Sequence, residues 1–89
     1  VTWTLVQKSA AVATGSTGSV TGTLPGGSTA GNLLVAALGS NTGSTQFTGP
    51  SGWVQAVQVS NSTLSRAEVW YLPPVQNSGG ITSAVFTSG

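Results

Sequence analysis

The sequence predicts an all-β chain folded as a β-sandwich, and three observations predict it. No stretch keeps the apolar period of a helix. The 13 glycines and the β-branched residues are spread along all 89 positions, which disfavours helix and favours strands joined by turns. Apolar runs of strand length recur at short intervals, each closed by Gly, Pro or Asn.

Six strands are expected in order. The first is Thr2 to Ser9, where Trp3 and Leu5 share one face and alternation turns that face to the core. The second, Ser19 to Leu24, is rich in Thr and Val and closes at the turn Pro25-Gly26-Gly27. The third, Asn32 to Gly39, is apolar without interruption from Leu33 to Leu38. Such a run predicts a central strand covered on both faces, and the small Ala36 and Ala37 would let another layer approach closely. A polar connection, Ser40 to Gly52, follows. The fourth strand is Trp53 to Ser60, and the turn Asn61-Ser62-Thr63 leads to the fifth, Ser65 to Leu72. There Ala67, Val69 and Tyr71 alternate with Arg66, Glu68 and Trp70, and the charged residues place the second set on the solvent side. Pro73-Pro74 stops the ladder, because proline has no N–H to donate. The sixth strand is Ile81 to Thr87, while Ala10 to Gly18 reads as a loop.

Six strands split between two sheets leave exposed edges, which proteins ordinarily cover. The chain also stops just after a strand, at Ser88-Gly89. The expectation is one β-sandwich over 1–89, or the N-terminal half of a larger one, with further strands donated by a second chain or a neighbouring subunit.

Charge narrows the function classes. Two basic residues, Lys8 and Arg66, and one acid, Glu68, make the chain 3% charged, against about 25% for an ordinary soluble domain. Disorder is excluded by a 38% hydrophobic content with three tryptophans and a net charge of +1. Duplex binding needs Lys and Arg against phosphates, and two cations far apart make no patch, so no nucleic-acid partner is expected. The longest apolar run, Leu33 to Leu38, is far short of the roughly 20 residues of a spanning helix, so no membrane insertion is expected. The Thr/Ser/Gly-rich, charge-poor composition points to an extracellular or cell-surface protein, and the absence of Cys rules out a disulfide scaffold.

Three pieces of sequence, taken in order, carry a family resemblance. They are Ala30-Gly31-Asn32-Leu33-Leu34-Val35-Ala36, Pro50-Ser51-Gly52-Trp53 and Ala67-Glu68-Val69-Trp70-Tyr71. Together they resemble a module of bacterial secreted and phage-associated surface proteins. The resemblance covers about two thirds of the chain, and it implies a jelly-roll-like, usually non-enzymatic sandwich within larger extracellular proteins. Modules of that type continue into a strand pair ending in a Tyr-Ser-Gly-like motif, which this sequence lacks.

The residue inventory is poor in catalytic groups. Glycoside hydrolysis generally uses two carboxylates, a Ser-His-Asp triad needs a histidine, and zinc sites draw on Cys, His or several acids. One glutamate and no His or Cys meet none of these needs, and a lone acid makes a weak calcium site. A Ser-Lys dyad using Lys8 is formally open. The chain is therefore expected to be non-catalytic and to need no cofactor or metal.

Binding is the remaining class. Exposed aromatic rings stack on sugars, and a neutral polysaccharide suits a chain with almost no charge. Trp53, at a strand start after Pro-Ser-Gly, reads as a plug of the core. Trp70, placed on the side of Arg66 and Glu68, is the candidate ligand-binding aromatic, with Asn61 and Thr63 offering hydrogen bonds to hydroxyls. The leading expectation is a non-catalytic extracellular module that recognises a neutral glycan through these residues. The alternative is a structural subunit or spacer of a surface filament or adhesin, completed by a neighbouring strand. Two chemical modifications are also candidates. Lys8 could form an isopeptide bond to Asn32, Asn41, Asn61 or Asn77 with Glu68 as proton shuttle, which needs a buried, neutral amine beside a protonated acid. Asn61-Ser62-Thr63 is an N-glycosylation sequon.

Overall fold

The structure, a computed structural model, describes residues 3–10, 18–41, 46–61 and 64–88. Six strands and one short 3-10 turn follow in order: β1 (Ser19–Thr23), β2 (Leu34–Ser40), β3 (Phe47–Thr48), β4 (Val54–Asn61), β5 (Ser65–Leu72), the turn Pro74–Gln76, and β6 (Ser83–Ser88). They form two antiparallel sheets, β1-β6-β3 and β2-β5-β4. The pairing is nested: the first strand pairs with the last and the second with the fifth. A long hairpin folded over on itself gives this order, as in jelly-roll wrapping. The all-β expectation holds, and the architecture is an open β-sandwich.

The two sheets meet over a small aromatic core. Phe86, Phe47 and Leu72 are its buried apolar residues. Trp53 and Trp70 both set ring edges against Phe86, with centroids 5.3 and 5.8 Å away, the geometry favoured by the ring quadrupole. Trp53 is thus in the core, as its position after Pro-Ser-Gly predicts. Gly49 is required at this junction. A Cβ there would stand 2.8 Å from the Trp70 ring and 3.0 Å from Phe86, so only a glycine lets the chain pass.

One end of the sandwich is tied by Asn77, which is buried. Its Nδ2 donates to the carbonyls of Thr29 and Asn32 at 3.0 and 2.9 Å. Its Oδ1 accepts from Ser28 Oγ and the Gly79 N–H at 3.0 and 2.9 Å. All four hydrogen-bonding sites of the amide are used, which locks the loop before β2 to the loop before β6.

Three expectations are corrected. Residues 3–10 form no strand, and Trp3 and Leu5 are 77% and 75% exposed rather than in the core. The segment is held instead by a side chain: Gln7 Oε1 accepts from the Gly26 N–H at 3.0 Å, and Gln7 Nε2 donates to the Gly27 carbonyl at 3.3 Å. The connection from Ser40 to Gly52 contains β3, two residues long and too short to show a period. The strand read as Asn32 to Gly39 is β2, but it lies at a sheet edge and its outward side is open: Val35 is 61% exposed.

Candidate functional site

The two faces of β5 are the reverse of the sequence expectation. Arg66, Glu68 and Leu72 are buried and Trp70 is half-buried on the side that meets the other sheet. Ala67, Val69 and Tyr71 face outward. Alternation identifies two faces but does not say which is covered. Here the polar face is inward because it satisfies itself.

Glu68 is the centre of that inward cluster and is 1% exposed. Its Oε1 accepts from Gln55 Nε2 at 2.8 Å and from Trp70 Nε1 at 2.7 Å. Its Oε2 accepts from Arg66 Nε at 2.5 Å and from the Phe47 N–H at 3.1 Å. Burial pushes the carboxyl's pKa upward, but Arg66, Trp70, the Phe47 amide and Gln55 together hold it below its ordinary value. Each donor comes from a definite place. Arg66 and Trp70 flank Glu68 at two-residue spacing on β5, and the Phe47 amide is supplied by the other sheet. Gln55 reaches it because a bulge at Ala56, between the Gln55–Trp70 and Val57–Val69 pairs, sets the register of β4. With four donors around two oxygens, the carboxylate is an ionised structural clamp between the sheets.

The sequence candidates separate accordingly. Trp70, expected on the solvent face, has its indole N–H on Glu68 and its ring against Phe86. Asn61 is exposed at the end of β4, where its carbonyl accepts from the Leu64 N–H at 2.9 Å. Thr63 lies outside the described residues. Lys8 is exposed, not desolvated as the isopeptide chemistry requires, and it is not among the partners of Glu68. Of the asparagine acceptors considered, Asn77 is buried but its amide is fully engaged, while Asn32 is half-buried and Asn41 and Asn61 are exposed. The structure does not assemble the cross-link site.

Sequence reasoning missed the outward face of the β2-β5-β4 sheet. The register sets three rows across it: Val35–Tyr71–Val54, Ala37–Val69–Val57 and Gly39–Ala67–Val59. No side chain in these rows carries a charge or an amide. Val35, Val54, Val57 and Val59 are 61%, 41%, 57% and 65% exposed. At about 4.8 Å between strands and 6.8 Å between same-face residues, the rows cover on the order of 300 Å² in projection. That is at the scale where an exposed apolar patch marks a contact site. The signal was present as the unbroken Leu33–Leu38 run and the Ala67/Val69/Tyr71 alternation, but it was assigned to the interior.

A second apolar feature lies between the sheets. A cleft of about 470 Å³ opens between β1 and β2, lined by residues that include Lys8, Val20, Leu24, Leu34, Ile81 and Phe86. Among the described residues no helix is long and apolar enough to cross a membrane. No protein-family model matches the chain, and no curated protein or solved structure matches it either.

Proposed function

We propose that this chain is a non-catalytic structural module of an exported or cell-surface assembly, whose β2-β5-β4 sheet is laid against further copies of the protein. The observation that carries the reading is the outward face of that sheet, three register rows without a charged or amide side chain. The chain's one acid supports the non-catalytic part, because Glu68 spends all its acceptor capacity on structural donors. The glycan reading rested first on Trp70, whose ring is now against Phe86, so the structural alternative becomes the better supported of the two.

Energetics agree with an assembly that uses more than this face. Fully burying a valine is worth about 1.5–3 kcal/mol, so covering four that are about half exposed gives on the order of 4 kcal/mol. Association costs about that much or more in lost freedom, and further contacts must add to the face. The test compares the wild type with a Val57→Lys/Val59→Lys variant by sedimentation velocity over a concentration series, with pull-down on insoluble polysaccharides run beside it. Self-association in the wild type that the lysines abolish, with circular dichroism unchanged, is expected. A wild type that is monomeric at every concentration, or whose only interaction is retention on polysaccharide, would defeat the proposal.

A further inference from the structure

We propose that the cleft between β1 and β2 binds a single anionic amphiphile, a medium-chain carboxylate whose hydrocarbon tail lies between the sheets and whose head group pairs with Lys8. The site is separate from the outward face of the β2-β5-β4 sheet and does not depend on assembly.

The cleft exists because the sandwich closes more tightly on one side than on the other. Phe86 of β6 and Leu72 of β5 are 2% and 3% exposed, and β3 is tied to β5 by the Phe47 amide on Glu68. β1 and β2 end the rows of their two sheets, and register says which of their residues face inward. Cross-strand partners share a face, so Val20 goes with Phe86, and Leu34, Ala36 and Leu38 go with Leu72, Trp70 and Glu68. These are the sides a closed sandwich buries. All four are nevertheless only half-buried, and all four line the same space of about 470 Å³.

Size and shape fit one alkyl chain. The space is within the roughly 300–1,000 Å³ of small-molecule sites, whose walls are mostly apolar with a few polar groups. Its β2 wall runs from Leu33 to Leu38, about 16 Å of strand. With carbon–carbon bonds of about 1.5 Å, an extended alkyl chain advances about 1.3 Å per carbon, so about 12 carbons match that wall.

Charge selects the head group. The chain has three charged side chains. Arg66 and Glu68 neutralise each other in a salt bridge, which leaves Lys8 as the uncompensated side-chain charge among the described residues. Lys8 is exposed and is one of the residues lining the cleft. The chain is held there on both sides of it. Gln7 is bonded to Gly26 and Gly27, and Ser9 Oγ lies 3.9 Å from where a Cβ on Gly22 of β1 would stand. From that fixed point a flexible four-carbon stem carries an ammonium with three donors, which can meet a carboxylate while the tail covers the apolar walls. Anionic membrane surfaces are read by clusters of roughly four to eight cations. A lone lysine beside a concave apolar site matches one monomeric ligand instead.

Isothermal titration of the chain with octanoate, decanoate and dodecanoate, each below its micelle concentration, tests the site. Affinity should rise about two- to fourfold per added methylene, and dodecyltrimethylammonium, with the opposite charge, should bind more weakly than dodecanoate. Lys8→Gln, at an exposed position, should weaken dodecanoate about two- to fivefold and abolish its advantage over the cationic amphiphile. Ala36→Leu, which fills the inner face, should weaken every chain more than about tenfold with circular dichroism unchanged. Ligand-induced shifts of the Val20, Leu34 and Ile81 methyl resonances locate the ligand in the wild type, so the test stands even if Ala36→Leu fails to fold. Affinity independent of chain length, a Lys8→Gln protein that keeps the full preference for dodecanoate, or shifts confined to Val57 and Val59 on the outward face would overturn the proposal. Binding to phosphatidylglycerol vesicles without binding to monomeric dodecanoate would overturn it too.

Discussion

Replacing Glu68 by glutamine probes the inward cluster through the only side-chain carboxylate in the chain. Glutamine keeps the shape but offers one acceptor oxygen where the carboxylate offers two, and it places an N–H₂ against existing donors. Arg66, which is buried, is left without its counter-charge. Removing one partner of a buried ion pair costs about 3–5 kcal/mol, a large part of the roughly 5–15 kcal/mol that holds an ordinary domain together. Equilibrium urea denaturation at pH 7, followed by tryptophan fluorescence, should register a loss of that size. The pH dependence has a definite sign. The native pKa of Glu68 lies below the ordinary 4.5, so its contribution is complete above the unfolded-state value and is lost as pH falls through the lower native one. The wild type should therefore weaken on acidification below about pH 4.5, while Glu68→Gln should be nearly flat over the same interval. A variant as stable as the wild type at pH 7, or one that keeps the acid-dependent limb, would refute the clamp.

Three further outcomes follow from the same geometry. Gly49→Ala should cost about 1–3 kcal/mol, the usual range for overpacking a core, because its methyl would press on both Trp70 and Phe86; thermal denaturation measures it. Asn77→Ala removes the hydrogen bonds to the Thr29 and Asn32 carbonyls, to Ser28 Oγ and to the Gly79 N–H, and at about 0.5–1.5 kcal/mol for each bond lost it should lower the urea midpoint by more than Gly49→Ala does. Trp70→Ala should behave as a core truncation, losing about 3–5 kcal/mol with no change in polysaccharide retention; a folded variant that selectively loses retention would restore the glycan reading.

The strand pattern was legible because turn residues and β-branched runs are local signals. β1, β2, β4, β5 and β6 all lie within two residues of their expected positions, and β5 matches Ser65–Leu72 at both ends. What failed was decided by tertiary contacts. Residues 3–10 have the alternation of a strand, yet the Gln7 amide takes the contacts at Gly26 and Gly27 that a ladder could have made. β3 exists because the Phe47 amide meets Glu68 and its neighbour pairs with β6, and two residues have no period to read. The inversion of β5 is the most instructive case. Charge was taken to mean solvent, but Arg66, Glu68 and Trp70 at two-residue spacing supply their own donors and acceptor, so they can be buried together. With polar residues inside, the apolar row was left outside. The candidate site was present in the residues and hidden only by the choice of face.

The central claim is that the outward face of the β2-β5-β4 sheet is covered when the protein assembles. Solvent relaxation of the valine methyl resonances by a soluble paramagnetic agent tests it directly, measured as protein concentration is raised. The account predicts that the methyls of Val35, Val57 and Val59 are strongly relaxed in dilute solution and become shielded as copies associate, while those of Val75, 87% exposed in the loop after β5, do not change. Valines on the sheet that stay as accessible as Val75 at every concentration would contradict it.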